Sequence, residues 1–343
     1  MTATIEGSWQ ETSRRVDCRF APLYVLAPAR SCSSLIVAML GQHPELYGFS
    51  ELRLFRAKSV AELLLDPAPG QGMPASERVA GLLRGLAQLH DGQQTVGAVE
   101  RAYRWLERHT HWSVESVFDH LLELVSPLTG VEKSPETSRT DDALQRASAA
   151  YPRARILHFV RHPWSTVQSM LKAWSSLSYW SVDQEAAPRY CLNVWLEQHR
   201  RIATFGESLG SDQFMRIRSE DVVDRSFDVL PVFCRWVGID DSDDSLRAMM
   251  NPERSPYASH GPVNARGGYD PKFLANPRLR RVQIPPRAVP DEWRVDDESL
   301  RAVVDLARQF GYDSNVSSSS PGSPSSGGFR RIHPTRLGLP RRR

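Results

Sequence analysis

Two apolar runs in this sequence end in residues suited to holding an anion. Leu23–Ala27 leads into Pro28-Ala29-Arg30-Ser31-Cys32-Ser33-Ser34 and then into a helical pattern that ends near Gly41. Arg155–Val160 leads into Arg161-His162-Pro163, and Ser169 follows Arg161 by eight positions. A strand, a loop and a helix in this order aim free backbone N–H groups, and the positive end of the helix dipole, at whatever occupies the loop. Arg30 adds a fixed charge and a forked donor set, and the hydroxyls of Ser31, Ser33 and Ser34 add further donors. At the second junction a strand-end arginine and a helix serine can converge on one anion. Pro163 opens that helix where its missing N–H costs little. Taken alone, the first loop is equally an ordinary serine-rich helix cap. Its spacing lacks the Gly-Lys-Ser/Thr of a nucleotidase loop, which holds magnesium and a triphosphate.

These residues need a scaffold that brings two strand ends together. Gln213–Ile217 reads as a third strand, and Thr129–Val131 carries a short strand signal. Helical patterns fill 75–89, 97–109, 113–125, 139–151, 164–174, 187–208, 226–237 and 297–310. Strands alternating with helices predict an α/β fold with a mainly parallel central sheet flanked by helices. Ligands in such sheets sit at the carboxyl ends of the strands, where both junctions lie. Residues 1–18 read as a flexible leader, 19–314 as one domain, and 315–343 as a disordered Ser/Pro/Gly stretch followed by an Arg-rich tail. The tail's arginines either solubilise it or touch anionic partners.

Composition excludes several classes. Of 343 residues, 41% are hydrophobic and 24% charged, as in a globular chain able to bury its own core. The net charge of +3 comes from the tail: six arginines follow Val316 with no acid, and without them the chain is at −3. A nucleic-acid footprint is therefore absent. No apolar run approaches a membrane span. The N-terminus lacks the apolar core of a signal peptide, and four scattered cysteines fit a reducing compartment, so the expected location is cytoplasmic. No metal is expected, because the one H-x-x-x-H spacing, His158 to His162, runs from a strand into a loop.

Together the two junctions resemble those of sulfotransferases that use 3′-phosphoadenosine 5′-phosphosulfate (PAPS). Ala29-Arg30-Ser31-Cys32-Ser33-Ser34 is similar to the family's 5′-phosphosulfate loop, with Cys32 where glycine is usual and Ala29 where proline is. Val160-Arg161 through Ser169 is similar to its 3′-phosphate site. His43-Pro44 with Phe49-Ser50-Glu51, Glu132-Lys133-Ser134-Pro135, Arg218-Ser219-Glu220-Asp221-Val222 and Trp236-Val237-Gly238 resemble further family segments, in the family's order, over residues 20–275. Ser219 stands where the family has tyrosine. Gly261–Asn264 through Tyr269–Lys272 resembles sulfotransferase domains of polyketide assembly lines.

The resemblance implies a P-loop NTPase-like sulfotransferase fold and a sulfuryl transfer from PAPS, with adenosine 3′,5′-bisphosphate as product and no metal. The implied acceptor is a hydroxyl of a small molecule or a carrier-bound chain, in secondary metabolism. It places Arg30, as a catalytic residue, and the N–H groups of residues 31–34 on the 5′-phosphate and the departing oxygen, and Arg161 with Ser169 on the 3′-phosphate. Arg266-Gly267-Gly268 is the nearest candidate for an additional 3′-phosphate loop. Glu51 is the implied general base and Lys133 an anion-facing catalytic cation. The alternatives are a helix-start glutamate and an exposed strand-end lysine. His109 or His111 is a rival base, or a surface residue at a helix end. Arg53 either orients the acceptor or is solvated. Trp174 and Trp180, with Tyr179 beside them, either line the acceptor pocket or cover core. Two other functions stay open: a nucleotide-binding relative without catalysis that serves as an interaction protein, and a P-loop kinase-like phosphotransferase.

Overall fold

The computed structural model describes residues 20–65, 78–175, 182–280, 289–290 and 293–312. The leader, the tail from 315 onward, Tyr179, Trp180 and positions 75–77 of the expected helix lie outside the described residues.

Five strands form one all-parallel sheet: β1 (Leu23–Leu26), β2 (Leu46–Gly48), β3 (Thr129–Glu132), β4 (Arg155–Val160) and β5 (Phe214–Arg218). Their spatial order is β2-β3-β1-β4-β5. Leu23 is in register with Val131 on one side and Arg155 on the other. Successive β1 side chains point to opposite faces, and both faces are covered. Leu23 and Val25 join a core with helices Ser33–Leu40 and Ser226–Val237. Tyr24 and Leu26 join the core of helices Ala80–Asp91, Val96–Arg108 and Val114–Val125. That two-sided burial is why β1 reads as an unbroken apolar run. Each fully buried aliphatic side chain contributes about 1.5–3 kcal/mol. A third core forms beside β4, where helices Pro163–Trp174, Ala187–Glu207 and Asp297–Gln309 meet around Trp164, Trp195 and Val303.

The sequence does not declare β2, whose three residues show no period. The short helices Val60–Leu65, Ser219–Asp224, Asp243–Met249 and Pro271–Ala275 are also absent from the sequence reading, since five to seven residues barely span two turns. No described helix is long and apolar enough to cross a membrane. The chain leaves β1 toward β2 and later reaches β4 on β1's other side, so the crevice beyond β3, β1 and β4 is the switch point at which such sheets bind ligands.

Candidate active site

The loop after β1 holds an unusual backbone. Arg30 (φ 69°) and Cys32 (φ 62°) are both left-handed, a conformation that strains a non-glycine residue by about 1–3 kcal/mol. Such turns gather successive N–H groups into an anion-binding hollow. The Cys32 carbonyl accepts from the N–H groups of Leu35 (3.1 Å) and Ile36 (3.2 Å). The N–H groups of Ser33 and Ser34, at the helix start, have no intrahelical acceptor. Thr95 and Ser113 cap their helices with side chains; Cys32 does not cap this one. Ser31 is fully buried, yet its hydroxyl has no partner among the described residues. Burial pushes the Cys32 thiol up, so it stays protonated and acts through conformation rather than as a nucleophile.

The end of β3 delivers Lys133, only 1% exposed. Its ammonium donates to Ser34 Oγ (3.3 Å) and pairs with Glu51 Oε1. The other Glu51 oxygen accepts from Arg53 Nη2 (3.2 Å). Arg53 Nε faces Glu136 Oε1 at 3.4 Å. Burial pushes the Glu51 carboxyl up, but the charges of Lys133 and Arg53 outweigh it and hold the group below the ordinary carboxylate range. Glu51 is therefore ionised at neutral pH. Its backbone is fixed by the bond from Glu51 N–H to the Gly268 carbonyl (2.8 Å) and by Gly81, where an added Cβ would lie 1.9 Å from the Glu51 carbonyl oxygen. Ser134 Oγ accepts from the Arg53 N–H (2.8 Å) and donates to Glu132. Burial pushes the Glu132 carboxyl up to about 7, against the Ser134 hydrogen bond and the Lys133 charge.

The two junctions form one site. Arg161 Nη1 donates to the Arg30 carbonyl (2.7 Å), and Arg30 Nε donates to Ser169 Oγ (3.2 Å). Trp195 Nε1 holds the Arg161 carbonyl (3.0 Å). The His162 N–H donates to Glu220 Oε1 (3.0 Å), and Tyr312 and Ser219 hydroxyls donate to Glu220 Oε2 (2.8 and 3.1 Å). Arg161 Nε and Ser165 Oγ are buried without partners among the described residues. Buried donors without partners among the described residues thus occur at both junctions, Ser31 Oγ after β1 and Arg161 Nε with Ser165 Oγ after β4. That donor set suits a phosphate- or sulfate-bearing ligand.

Of the other expected residues, Gly268 adjoins Glu51. Arg266 is exposed. The Gly267 and Gly268 carbonyls accept from Arg84 Nη1 (2.8 Å) and the Glu51 N–H. His109 Nδ1 bonds the Trp105 carbonyl (2.7 Å) and its ring stacks on Trp105 at 4.2 Å. His111 is exposed beside it, so the contacts of this pair lie in an aromatic box with Trp105 and Trp112. Trp174 packs at the edge of the third core, 6.2 Å from Tyr190. Sequence reasoning missed Asp270, whose carboxylate meets Arg30 Nη1 at 2.5 Å. It also missed Trp195 and Tyr312. Tyr269-Asp270-Pro271 is legible as a motif, but nothing in its spacing names the arginine it faces.

A family model described as the sulfotransferase family matches residues 22–243, and the chain belongs to that family. The fold is also that of the sulfotransferase domain from the curacin biosynthetic pathway (TM-score 0.67, 21% identity, 86% of this chain and 98% of that one). The sulfotransferase domain of the Synechococcus PCC 7002 olefin synthase is similar in the same way (TM-score 0.66, 20% identity, 90% and 99%). No curated protein sequence matches the chain.

Proposed function

We propose that this chain transfers a sulfuryl group from PAPS to a hydroxyl of a small-molecule or carrier-bound acceptor. The observation that carries this reading is the placement of Lys133 Nζ between the Ser34 hydroxyl of the anion loop and the Glu51 carboxylate. A single cation there touches both the donor loop and a candidate base. PAPS would supply the sulfuryl group and leave as adenosine 3′,5′-bisphosphate. Arg30 and the N–H groups of residues 31–34 would hold its 5′ end, Arg161 and Ser169 its 3′-phosphate. Such fixed donors stabilise developing charge without reorganising.

Glu51 would accept the acceptor's proton. In the ion pair it is ionised but weakly basic. Whatever draws Lys133 toward the anion loop leaves burial opposed by Arg53 alone and strengthens Glu51 as a base. Lys133 would thus couple donor occupancy to base strength. The curacin-pathway and olefin-synthase sulfotransferase domains that share the fold favour a natural-product hydroxyl as acceptor. Calorimetric titration with adenosine 3′,5′-bisphosphate tests the donor assignment. Binding lost in Arg161→Ala supports it, and a magnesium-dependent preference for ATP would replace it with a phosphotransferase.

A further inference from the structure

Asp270 is an anion already seated on the anion site. Arg30 Nη1 meets Asp270 Oδ2 at 2.5 Å, and both side chains are largely buried, at 11% and 20% exposure. The Asp270 N–H donates to Ser34 Oγ at 3.0 Å, the same hydroxyl that accepts from Lys133. Asp270 Oδ1 caps the short helix Pro271–Ala275 through the Lys272 N–H (2.8 Å). The carboxylate is thus held against the loop by side chain and backbone together. With Nε on Ser169 and Nη1 on Asp270, the Arg30 fork is occupied on the edges with which it would grip a phosphoryl group.

We propose that Asp270 is an internal counter-ion for Arg30 that competes with the donor, so that it sets donor and product affinity. The inference rests on the PAPS reading of this site. A donor phosphate and the Asp270 carboxylate demand the same guanidinium, and both are anions. A ligand that needs Arg30 free binds with an affinity lowered by the fraction of molecules in which Asp270 holds it. The same competition favours release of the spent bisphosphate, because Asp270 can reclaim Arg30. The segment is anchored for this exchange. Arg84 grips the Gly267 and Ser259 carbonyls (both 2.8 Å), and Gly268 O receives the Glu51 N–H. Gly268 (φ 105°) supplies the bend between the Glu51 contact and the Arg30 contact.

The test is calorimetric titration of adenosine 3′,5′-bisphosphate into the full chain and into Asp270→Asn and Asp270→Ser. Both replacements keep a good helix-capping oxygen and remove the charge. The expected result is about tenfold tighter binding in both variants, with slower dissociation and a melting temperature of the free protein no higher than the parent's. Parent binding with unchanged or weaker binding by both variants overturns the Asp270 inference alone. No binding by the parent overturns the donor reading and this inference with it. A variant that does not fold is replaced in the comparison by the other.

Discussion

Lys133 and Glu51 pair inside the protein, although one leaves the end of β3 and the other follows β2. The pair joins the loop after β1, through Ser34, to the residue proposed as the general base. Neither side chain could sit there alone without cost: a buried charge stripped of its partner typically destabilises a protein by about 3–5 kcal/mol.

Glu51→Gln should separate chemistry from binding. The amide keeps the shape but cannot take a proton, so kcat should fall by roughly 10²–10⁴. Affinity for adenosine 3′,5′-bisphosphate should stay within about threefold. Steady-state kinetics and calorimetry on one preparation measure both. Unchanged kcat would remove Glu51 from the base role.

Lys133→Met should cost both activity and stability. It leaves the Glu51 carboxylate with Arg53 alone, and burial then pushes that carboxyl up. A rise in the acidic limb of the pH–rate profile is expected beside a fall in kcat. A Lys133→Met/Glu51→Gln double mutant should recover part of the lost melting temperature, because the buried carboxylate that lost its lysine is gone.

Cys32 tests the loop's backbone. At φ 62° a glycine sits without strain, so Cys32→Gly should leave stability within about 1 kcal/mol of the parent and preserve bisphosphate binding. Cys32→Val places a β-branched residue in the left-handed region and should lose about 1–3 kcal/mol along with ligand affinity. Chemical denaturation reads the first effect and titration the second.

Much of this was legible in the sequence, and the reasons are physical. β1 and β4 are buried on both faces, so they show as apolar runs, and the Arg and Ser residues after them stand out against such runs. The helices from Val96–Arg108 to Asp297–Gln309 that span three turns or more agree with their patterns to within a residue or two. β2 was silent because three residues carry no period. The Asp270–Arg30 contact joins positions 240 apart, and the Glu220 clamp on His162 joins positions 58 apart. Pairings at such separations are made by topology, and one chain's residue order does not encode them locally. His109 and His111 attracted attention as residue types, yet His109 packs on Trp105 of the helix it ends and on Trp112 of the following turn, with His111 against it.

Glu132 should make stability fall as pH rises. Its carboxyl titrates near 7 in the folded chain, above its ordinary value of 4.5, because burial disfavours the charge. Below 4.5 it is protonated in both states and contributes no difference. Between 4.5 and 7 the unfolded chain ionises first, and folding must bind a proton. Above 7 the folded state carries the full penalty, on the order of 3 kcal/mol. Denaturation curves of the parent and Glu132→Gln between pH 5 and 8.5, compared as a difference, should show the parent losing ground as pH rises. A flat difference would mean that Glu132 is ionised throughout.

Gly81→Ala should disturb the site from outside it. The new methyl would press on the Glu51 carbonyl and should cost about 1–3 kcal/mol as overpacking, with a loss of kcat larger than the loss of bisphosphate affinity.

The most direct test of the account is a thermal-shift titration with adenosine 3′,5′-bisphosphate, ADP and ATP, on the parent, Arg30→Ala and Arg161→Ala. A ligand that binds only the folded chain must raise its melting temperature. The account predicts a shift with the bisphosphate that exceeds those with ADP and ATP, needs no magnesium, and is lost in both variants. No shift with the bisphosphate, or a larger magnesium-dependent shift with ATP, would contradict it.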